Sequence, residues 1–182
     1  MKNATDDLKS SPFARIDGSK TLLIIRHAKS SWDAGTLTDF ERPLNERGKK
    51  DAPEMAARLK KRNIKVDAFI SSPAKRAKKT AELFCAALHQ PSESIQLISK
   101  LYHADAAIFF EVISSLDNST DTAAIFSHNP GITEFANLIS DNNPIDNMPT
   151  CSIFAIKVFT NNWADFAKTK KEFLFFDFPK NS

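Results

Sequence analysis

The chain has 182 residues, of which 42% are hydrophobic, with 25 basic and 22 acidic side chains. This length and apolar content are typical of one folded domain, and the nearly balanced charge argues against a general affinity for polyanions. Cys85 and Cys151 are too few for a disulfide framework, so we expect buried, reduced thiols and a cytoplasmic protein. No apolar run reaches the roughly 20 residues of a membrane helix, and no membrane partner is expected.

The apolar residues predict strands that alternate with helices. Residues 1–20 are polar, so we interpret them as a flexible leader and 21–182 as a single domain. Strands are predicted at 21–26, 66–70, 95–98, 121–126, 152–159 and 172–178. Helices are predicted at 45–62, from a cap at Ser71-Ser72-Pro73 to residue 88, at 104–116 and at 131–139. Pro53 is expected to kink or split the first helix, and 141–149 is predicted as a loop.

The alternation of elements indicates an α/β fold, a three-layer sandwich with a mostly parallel central sheet and helices on both faces. Polar side chains follow three of the predicted strands. Arg26 and His27 end the first strand, His128 lies two residues after the strand at 121–126, and Arg76 lies in the helix that follows the second strand. Because the carboxyl ends of strands line the ligand crevice of such sheets, we expect these two histidines and two arginines to converge.

Such a set of side chains fits phosphoryl chemistry. Arginine binds phosphate oxygens through two parallel hydrogen bonds, and a neutral imidazole can attack phosphorus to form a phosphohistidine that water later cleaves. A second histidine, if cationic, would stabilise the oxygens as charge shifts, and no metal would be required. Simpler interpretations exist, because a histidine at a strand end often has a structural role. Lys75, Lys78 and Lys79 can form a solvated helix face or a weak nucleic-acid patch.

Four motifs occur in order between residue 21 and about residue 133. They are Arg26-His27-Ala28, "RPLNERGKKDA" from Arg42, "SSPAKRAKKTAEL" from Ser71, and "SHNPGI" from Ser127. In this order they resemble the motifs of the histidine phosphatase superfamily, also called the phosphoglycerate mutase-like or RHG-motif superfamily. The sequence is most similar to its small branch, the SixA-like phosphohistidine phosphatases.

The resemblance implies a role for each of the four side chains at the strand ends. His27 is the phosphorylated nucleophile, Arg26 and Arg76 hold the phosphoryl group, and His128 donates to the group in transfer. The implied fold is the phosphoglycerate mutase-like α/β sandwich, which agrees with the strand pattern. The resemblance also implies a reaction that uses no metal ion and no organic cofactor.

Two further residues are candidates for substrate binding. Ser30 can contact phosphate from the loop after His27, or it can be exposed to solvent. Arg42 can bind phosphate, or it can hold the loop through an ion pair. Ala28 stands where the superfamily usually has glycine, so conformations that favour glycine are excluded there.

The proton donor of the related acid phosphatases has no counterpart here, because Asn129 stands where that branch has an acidic residue. The local candidates for this role are His103, Tyr102 and Asp105, of which His103 is preferred. An alkoxide is a poor leaving group, so phosphomonoester cleavage usually needs a placed acid. Phosphohistidine differs, because solvent can protonate its other ring nitrogen and the imidazole then leaves as a neutral group.

These observations predict a phosphatase that removes phosphate from a phosphorylated histidine protein through a covalent intermediate on His27. The short chain has no large insertion to form a lid, which also favours a protein substrate. The alternatives are a phosphatase for a small phosphorylated metabolite and a non-catalytic phosphate-binding module. A nucleic-acid binder that uses the face of residues 75–79 is disfavoured, because that face has no interleaved aromatic residues. No nucleic-acid partner is therefore expected.

Overall fold

The computed structural model describes residues 18–31, 38–140 and 143–181. In these residues six strands form one sheet in the order β3-β2-β4-β1-β5-β6. The strands are β1 (Lys20–Arg26), β2 (Ala68–Ser71), β3 (Gln96–Leu97), β4 (Thr122–Ser127), β5 (Ile153–Val158) and β6 (Lys171–Asp177). Strands β1 to β4 are mutually parallel, whereas β5 pairs antiparallel with both β1 and β6. Five of the six strands therefore run in one direction, which confirms the mostly parallel sheet.

Four α-helices of the described residues cover the two faces of the sheet. They are α1 (Glu46–Lys61), α2 (Lys75–Ala87), α3 (Ala106–Ser114) and α4 (Gly131–Leu138). One apolar cluster joins α1 and α2 to one face, and a second cluster joins α3 and α4 to the other. The predicted three-layer sandwich is thus confirmed. No helix in the described part of the chain has the length and apolar character needed to cross a membrane.

Strand β1 is apolar along its whole length because helices cover both of its faces. Leu22 and Ile24 belong to the cluster beneath α3 and α4, whereas Leu23 and Ile25 belong to the cluster beneath α1 and α2. All four side chains are fully buried. Burial of an aliphatic side chain of this size stabilises the fold by about 2 kcal/mol. The carboxyl end of β1 is therefore a rigid base for the residues that follow it.

Two details of the predicted helices are corrected by the structure. Helix α1 runs through Pro53 without a break, so of the predicted kink or split the split does not occur. Helix α2 begins after Ala74, and no side chain caps it; the cap predicted at Ser71-Ser72-Pro73 is therefore wrong as well. The hydroxyl of Ser72 lies instead against a histidine ring. Asn45 caps α1, because its side-chain oxygen accepts a hydrogen bond from the Gly48 N–H at 2.9 Å.

Two glycines allow helix starts to pack closely against loops at the carboxyl edge of the sheet. A Cβ atom at Gly48 would lie 2.2 Å from the carbonyl oxygen of Lys29, in the loop after β1. A Cβ atom at Gly131 would lie 1.8 Å from the carbonyl oxygen of Ala104. Both separations are too short for any side chain. The glycines therefore let α1 and α4 hold the two loops in place.

Candidate active site

The carboxyl ends of β1 and β4 lie side by side, since Arg26 is paired with Ser127 in the parallel register. His27 and His128 directly follow this pair. Their ring centroids lie 5.0 Å apart with an angle of 49° between the ring planes. The structure thus brings the two sequence-predicted histidines together at one edge of the sheet.

His27 has a defined hydrogen-bonding state. Its Nδ1 lies 2.8 Å from the carbonyl oxygen of Ala28, which can only accept, so Nδ1 carries the proton. Its Nε2 accepts a hydrogen bond from the Nε of Arg76 at 3.2 Å. Burial is the main cause that lowers the pKa of His27 to about 3, with further lowering by nearby arginines. His27 is therefore neutral near pH 7, and Nε2 presents a lone pair.

Arg76 is held in place by its own helix and by the loop that contains Asp39. Its terminal nitrogens donate to the backbone oxygen of Asp39 and to the Oδ2 of the same residue, the latter at 2.9 Å. The Thr80 hydroxyl donates to the Arg76 carbonyl at 2.7 Å and accepts from the Ala28 N–H at 2.9 Å. This bridge ties the first turn of α2 to the backbone that follows His27.

Ala28 fits the position where the superfamily usually has glycine. The residue is fully buried in the apolar cluster beneath α1 and α2. It is absent from the described residues with positive φ, so the backbone there does not require glycine. The methyl group thus contributes to the core without strain in the turn.

Arg26 is anchored by a segment that the sequence predicts only as a loop. One of its terminal nitrogens donates to the carbonyl oxygen of Met148. The Cys151 N–H donates to the carbonyl oxygens of Arg26 and His27, each at 3.1 Å. The Arg26 Nε is buried and has no hydrogen-bond partner among the described residues. Burial and the charge of Arg76 lower the pKa of Arg26.

His128 is buried to the same extent as His27, with 7% of each residue exposed. Its Nε2 lies 2.8 Å from the Oγ of Ser72, and the ring of Tyr102 packs edge-on against it at 5.5 Å. Burial, followed by the charges of His27 and Arg76, lowers the pKa of His128 to about 2. This favours the neutral form of His128 in the free protein over the cationic form.

Asp39 connects the arginines of the pocket with Tyr102. Its carboxylate accepts hydrogen bonds from Arg76, from Arg42 at 2.8 Å and from the Tyr102 hydroxyl at 2.7 Å. Burial opposes ionisation, but these hydrogen bonds and the charge of Arg76 hold the pKa of Asp39 well below its usual range. Burial and the contact with Asp39 raise the pKa of Tyr102. The carboxylate is therefore charged and the phenol is protonated near pH 7.

The candidates Ser30 and Arg42 lie in one network beside Asp39. Arg42 donates to the Ser30 Oγ at 2.8 Å, to the Ser31 carbonyl oxygen at 3.1 Å and to Asp39. Ser30 is 4% exposed and bridges to Leu44 in the backbone. These contacts place Arg42 in an ion pair that holds the loop, and they bury Ser30.

His103 lies at the rim of the site rather than in the pocket. It is exposed, and its ring packs against Tyr102 with centroids 3.9 Å apart. It lines a cleft of about 190 Å³ together with Asp105, His128 and Glu134. The carboxylate of Asp105 caps α3 by accepting from the Ile108 N–H at 3.0 Å.

Three contributors to the site were missed by sequence reasoning. The first is Asp39. Its position three residues before Arg42 is a weak signal of an ion pair between the two side chains. The second is Ser72, whose position before a helix predicts a cap and gives no indication of its contact with His128. The carbonyl oxygen of Met148 leaves no trace in the sequence, because any residue supplies a carbonyl. No group of three or more His, Cys, Asp or Glu side chains is placed to hold a metal ion within the described residues.

A neutral histidine beside two arginines at the edge of an α/β sheet is an arrangement that can bind a phosphoryl group. The model of the histidine phosphatase superfamily (branch 1) matches residues 22–101, and the sheet order and helices agree with its fold. The matched segment contains the first three of the four motifs found in the sequence, so it supports the resemblance to this superfamily.

Relatives and solved structures align with most of the length of this chain. An uncharacterised chloroplastic protein of Arabidopsis thaliana is 28% identical over 170 residues, which are 89% of this chain and 76% of the relative. The structure of the protein histidine phosphatase SixA with tungstate matches with a TM-score of 0.75 and 22% identity, over 88% of this chain and 98% of that one. A mycobacterial glucosyl-3-phosphoglycerate phosphatase matches with a TM-score of 0.59 and 14% identity, over 85% and 97%. At these identities the two structures show a shared fold.

Proposed function

We propose that the protein hydrolyses phosphohistidine in a phosphorylated protein through a covalent intermediate on His27. The observation that carries this proposal is the state of His27. Its Nδ1 proton is held by a backbone carbonyl, and its Nε2 lone pair meets the Arg76 Nε at 3.2 Å. A neutral, buried imidazole beside a cationic donor is a nucleophile placed where a phosphoryl group is stabilised.

The reaction consists of two displacements at phosphorus. In the first, His27 Nε2 forms a bond to phosphorus while the bond from phosphorus to the substrate nitrogen breaks. The departing imidazole takes a proton from solvent on its other nitrogen and leaves neutral. In the second, water attacks phosphorus, the bond to Nε2 breaks to restore the neutral His27 ring, and inorganic phosphate leaves as H₂PO₄⁻ with both protons of the water, one of which it can return to solvent. Arg26 and Arg76 offset the charge on the phosphoryl oxygens in both steps.

The surroundings of the pocket support a phosphoramidate rather than an ester. The Tyr102 proton is engaged by Asp39 at 2.7 Å, and His103 is exposed at the rim. The leaving group of phosphohistidine needs neither of them, because solvent supplies its proton.

Phosphatases with this fold act on both kinds of substrate. SixA is described as a protein histidine phosphatase, and the mycobacterial enzyme acts on glucosyl-3-phosphoglycerate. A small phosphorylated metabolite is therefore the second candidate, and the polar cleft lined by His103, Asp105 and Glu134 favours it. A placed proton donor in that cleft would serve an alkoxide leaving group.

A substrate panel distinguishes the two candidates. The full chain would be incubated in the presence of a chelator with a phosphohistidine protein, an aryl phosphate and several sugar phosphates. We expect the phosphohistidine protein to have the highest kcat/KM. Equal or faster turnover of the sugar phosphates would overturn the phosphohistidine proposal, whereas loss of all turnover without added metal would contradict a reaction that uses no cofactor.

We also propose that the domain spans 21–182 and works in the cytoplasm. Cys85 and Cys151 are both buried with free thiols, and burial raises the pKa of each. Unpaired structural thiols are typical of reducing compartments. Strand β1 begins at Lys20, one residue before the predicted boundary, and residues 1–17 of the predicted leader lie outside the described residues.

A further inference from the structure

The hydroxyl of Ser72 has two polar neighbours in the described part of the chain. It lies 2.8 Å from the Nε2 of His128, and it accepts a hydrogen bond from the Ala74 N–H at 3.3 Å. Ser72 is fully buried at the carboxyl end of β2, so water does not satisfy its hydroxyl. Its single proton therefore has one acceptor within reach, the Nε2 of His128.

This arrangement determines the tautomer of His128. If Nε2 carried the proton, two buried groups would lack a partner, the Ser72 hydroxyl proton and the Nδ1 lone pair, whereas a proton on Nδ1 leaves only that N–H unpaired. A buried, unpaired hydroxyl donor is unfavourable. The favoured arrangement has Ser72 donating to the Nε2 lone pair, so that the proton of the neutral His128 ring lies on Nδ1.

The Nδ1 of His128 is buried and has no hydrogen-bond partner among the described residues. An unpaired buried donor is costly unless an acceptor arrives during function. The ring lies 5.0 Å from that of His27, so a phosphoryl group on His27 Nε2 would bring oxygens close to it. His27 and His128 would then share one tautomer, with a lone pair offered by His27 and an N–H offered by His128.

We propose that Ser72 is a positioning residue that holds His128 in its Nδ1–H tautomer, so that this N–H donates to the phosphoryl group in transfer. The proposal rests on the proposed function, because it assigns Ser72 a part in the same phosphoryl transfer. Ser72 does not contact the substrate; it acts through the ring of His128. The motif that contains it was interpreted from sequence as a helix cap, a role that the structure does not give it.

The tautomer can be measured in the free protein, independently of turnover. Long-range ¹H–¹⁵N correlation spectra separate protonated from unprotonated ring nitrogens, and His128→Gln identifies the His128 signals. We expect a protonated Nδ1 and an unprotonated Nε2 in the wild-type protein, and a shift of the proton towards Nε2 in Ser72→Ala. A wild-type His128 protonated on Nε2, or an unchanged tautomer in Ser72→Ala, would overturn the proposal even if the enzyme hydrolyses phosphohistidine.

Ser71→Ala is the matched control for the kinetic effect. Ser71 is equally buried, and its hydroxyl donates to the Ser72 carbonyl at 2.8 Å without touching His128. We expect Ser72→Ala to lower kcat by about tenfold to hundredfold with little change in KM, and to weaken inhibition by orthovanadate. Ser71→Ala should leave both within about twofold of the wild type, and Ser72→Thr, which keeps the hydroxyl, should restore the tautomer. Equal losses in Ser71→Ala and Ser72→Ala would show a packing effect and contradict the positioning role.

Discussion

The pocket has two walls that differ in burial. The strand wall consists of residues held at the ends of β1 and β4 and at the start of α2, namely Arg26, His27, Arg76 and His128. The loop wall consists of Asp39, Arg42 and Tyr102. Three residues of the strand wall are only 6–7% exposed, whereas the Asp39 side chain is 48% exposed. The strand wall keeps its histidines neutral by removing water, whereas the loop wall is a charged network that solvent screens.

This difference indicates that the two walls have different roles in the pocket. Desolvation of His27 and His128 depends on the core, because the strands beneath them are buried on both faces. The hydrogen bonds of Asp39 depend instead on side chains that can rearrange at modest cost. Changes in the strand wall should therefore affect catalysis most, and changes in the loop wall should affect affinity.

The largest effect is expected when the nucleophile in the strand wall is removed. His27→Ala should lower kcat for phosphohistidine hydrolysis by at least about 10³-fold, because the first displacement loses its attacking nitrogen. Acid-quenched samples of the wild-type enzyme with labelled substrate should contain an acid-labile phosphoryl label on the protein, and His27→Ala should contain none. Circular dichroism checks that the variant remains folded.

A matched variant in the loop wall tests the comparison. Tyr102→Phe keeps the ring that packs on His128 and removes only the hydroxyl bonded to Asp39. We expect this variant to retain the covalent label. Activity that persists in His27→Ala, or a label that disappears only in Tyr102→Phe, would show that the nucleophile does not belong to the strand wall.

The second effect is a loss of stability as the pH falls. The pKa of His27 is about 3 in the folded protein and that of His128 about 2, against 6.5 for the unperturbed side chain. At pH values between the folded and the unperturbed pKa, the unfolded chain binds protons that the folded protein does not. The free energy of unfolding therefore falls as the pH falls below 6.5. The loss is at most about 1.4 kcal/mol per pH unit for each histidine.

Denaturant unfolding between pH 7 and pH 4 measures this dependence. His27→Gln removes one of the two groups and should reduce the slope, whereas Ser71→Ala removes a buried hydroxyl and no titratable group, so its slope should match the wild type. A wild-type slope that His27→Gln leaves unchanged would mean that His27 is not kept neutral by the strand wall.

A smaller effect is expected when the charge of Asp39 is removed from the loop wall. The carboxylate competes with phosphoryl oxygens for the terminal nitrogens of Arg76. Asp39→Asn should therefore tighten competitive inhibition by inorganic phosphate, by about threefold to tenfold for a charge change near a partly exposed site. Asp105→Asn removes an equal charge at the rim and keeps the cap of α3, so it serves as control. Weaker inhibition in Asp39→Asn would show that the carboxylate chiefly orients Arg76.

The same division explains how much of the molecule could be predicted from sequence. Strands β1 and β4 were evident as apolar runs, and the polar residues after them marked one edge of the sheet. Asp39 could not be assigned to the site from sequence, because its partner Arg76 lies 37 residues further along the chain and exposed acids give no distinct pattern. Ser72 precedes a helix, which is where caps are common, so local reasoning could not reveal its contact with a ring 56 residues away. Contacts made through backbone carbonyls, as at Met148, leave no side-chain signal.

The smallest effect is expected at the rim, where His103 packs on Tyr102. A phosphohistidine leaving group takes its proton from solvent, so His103→Gln should change its turnover by less than about twofold. An alkoxide leaving group needs a placed acid, so the residual hydrolysis of a sugar phosphate should fall by about tenfold or more if it occurs in the cleft beside His128. Measuring both substrates with the same variant compares the two leaving groups in one pocket. A loss restricted to the ester would assign His103 as its proton donor, whereas rates for His103→Gln equal to those of the wild type on both substrates would rule out that role.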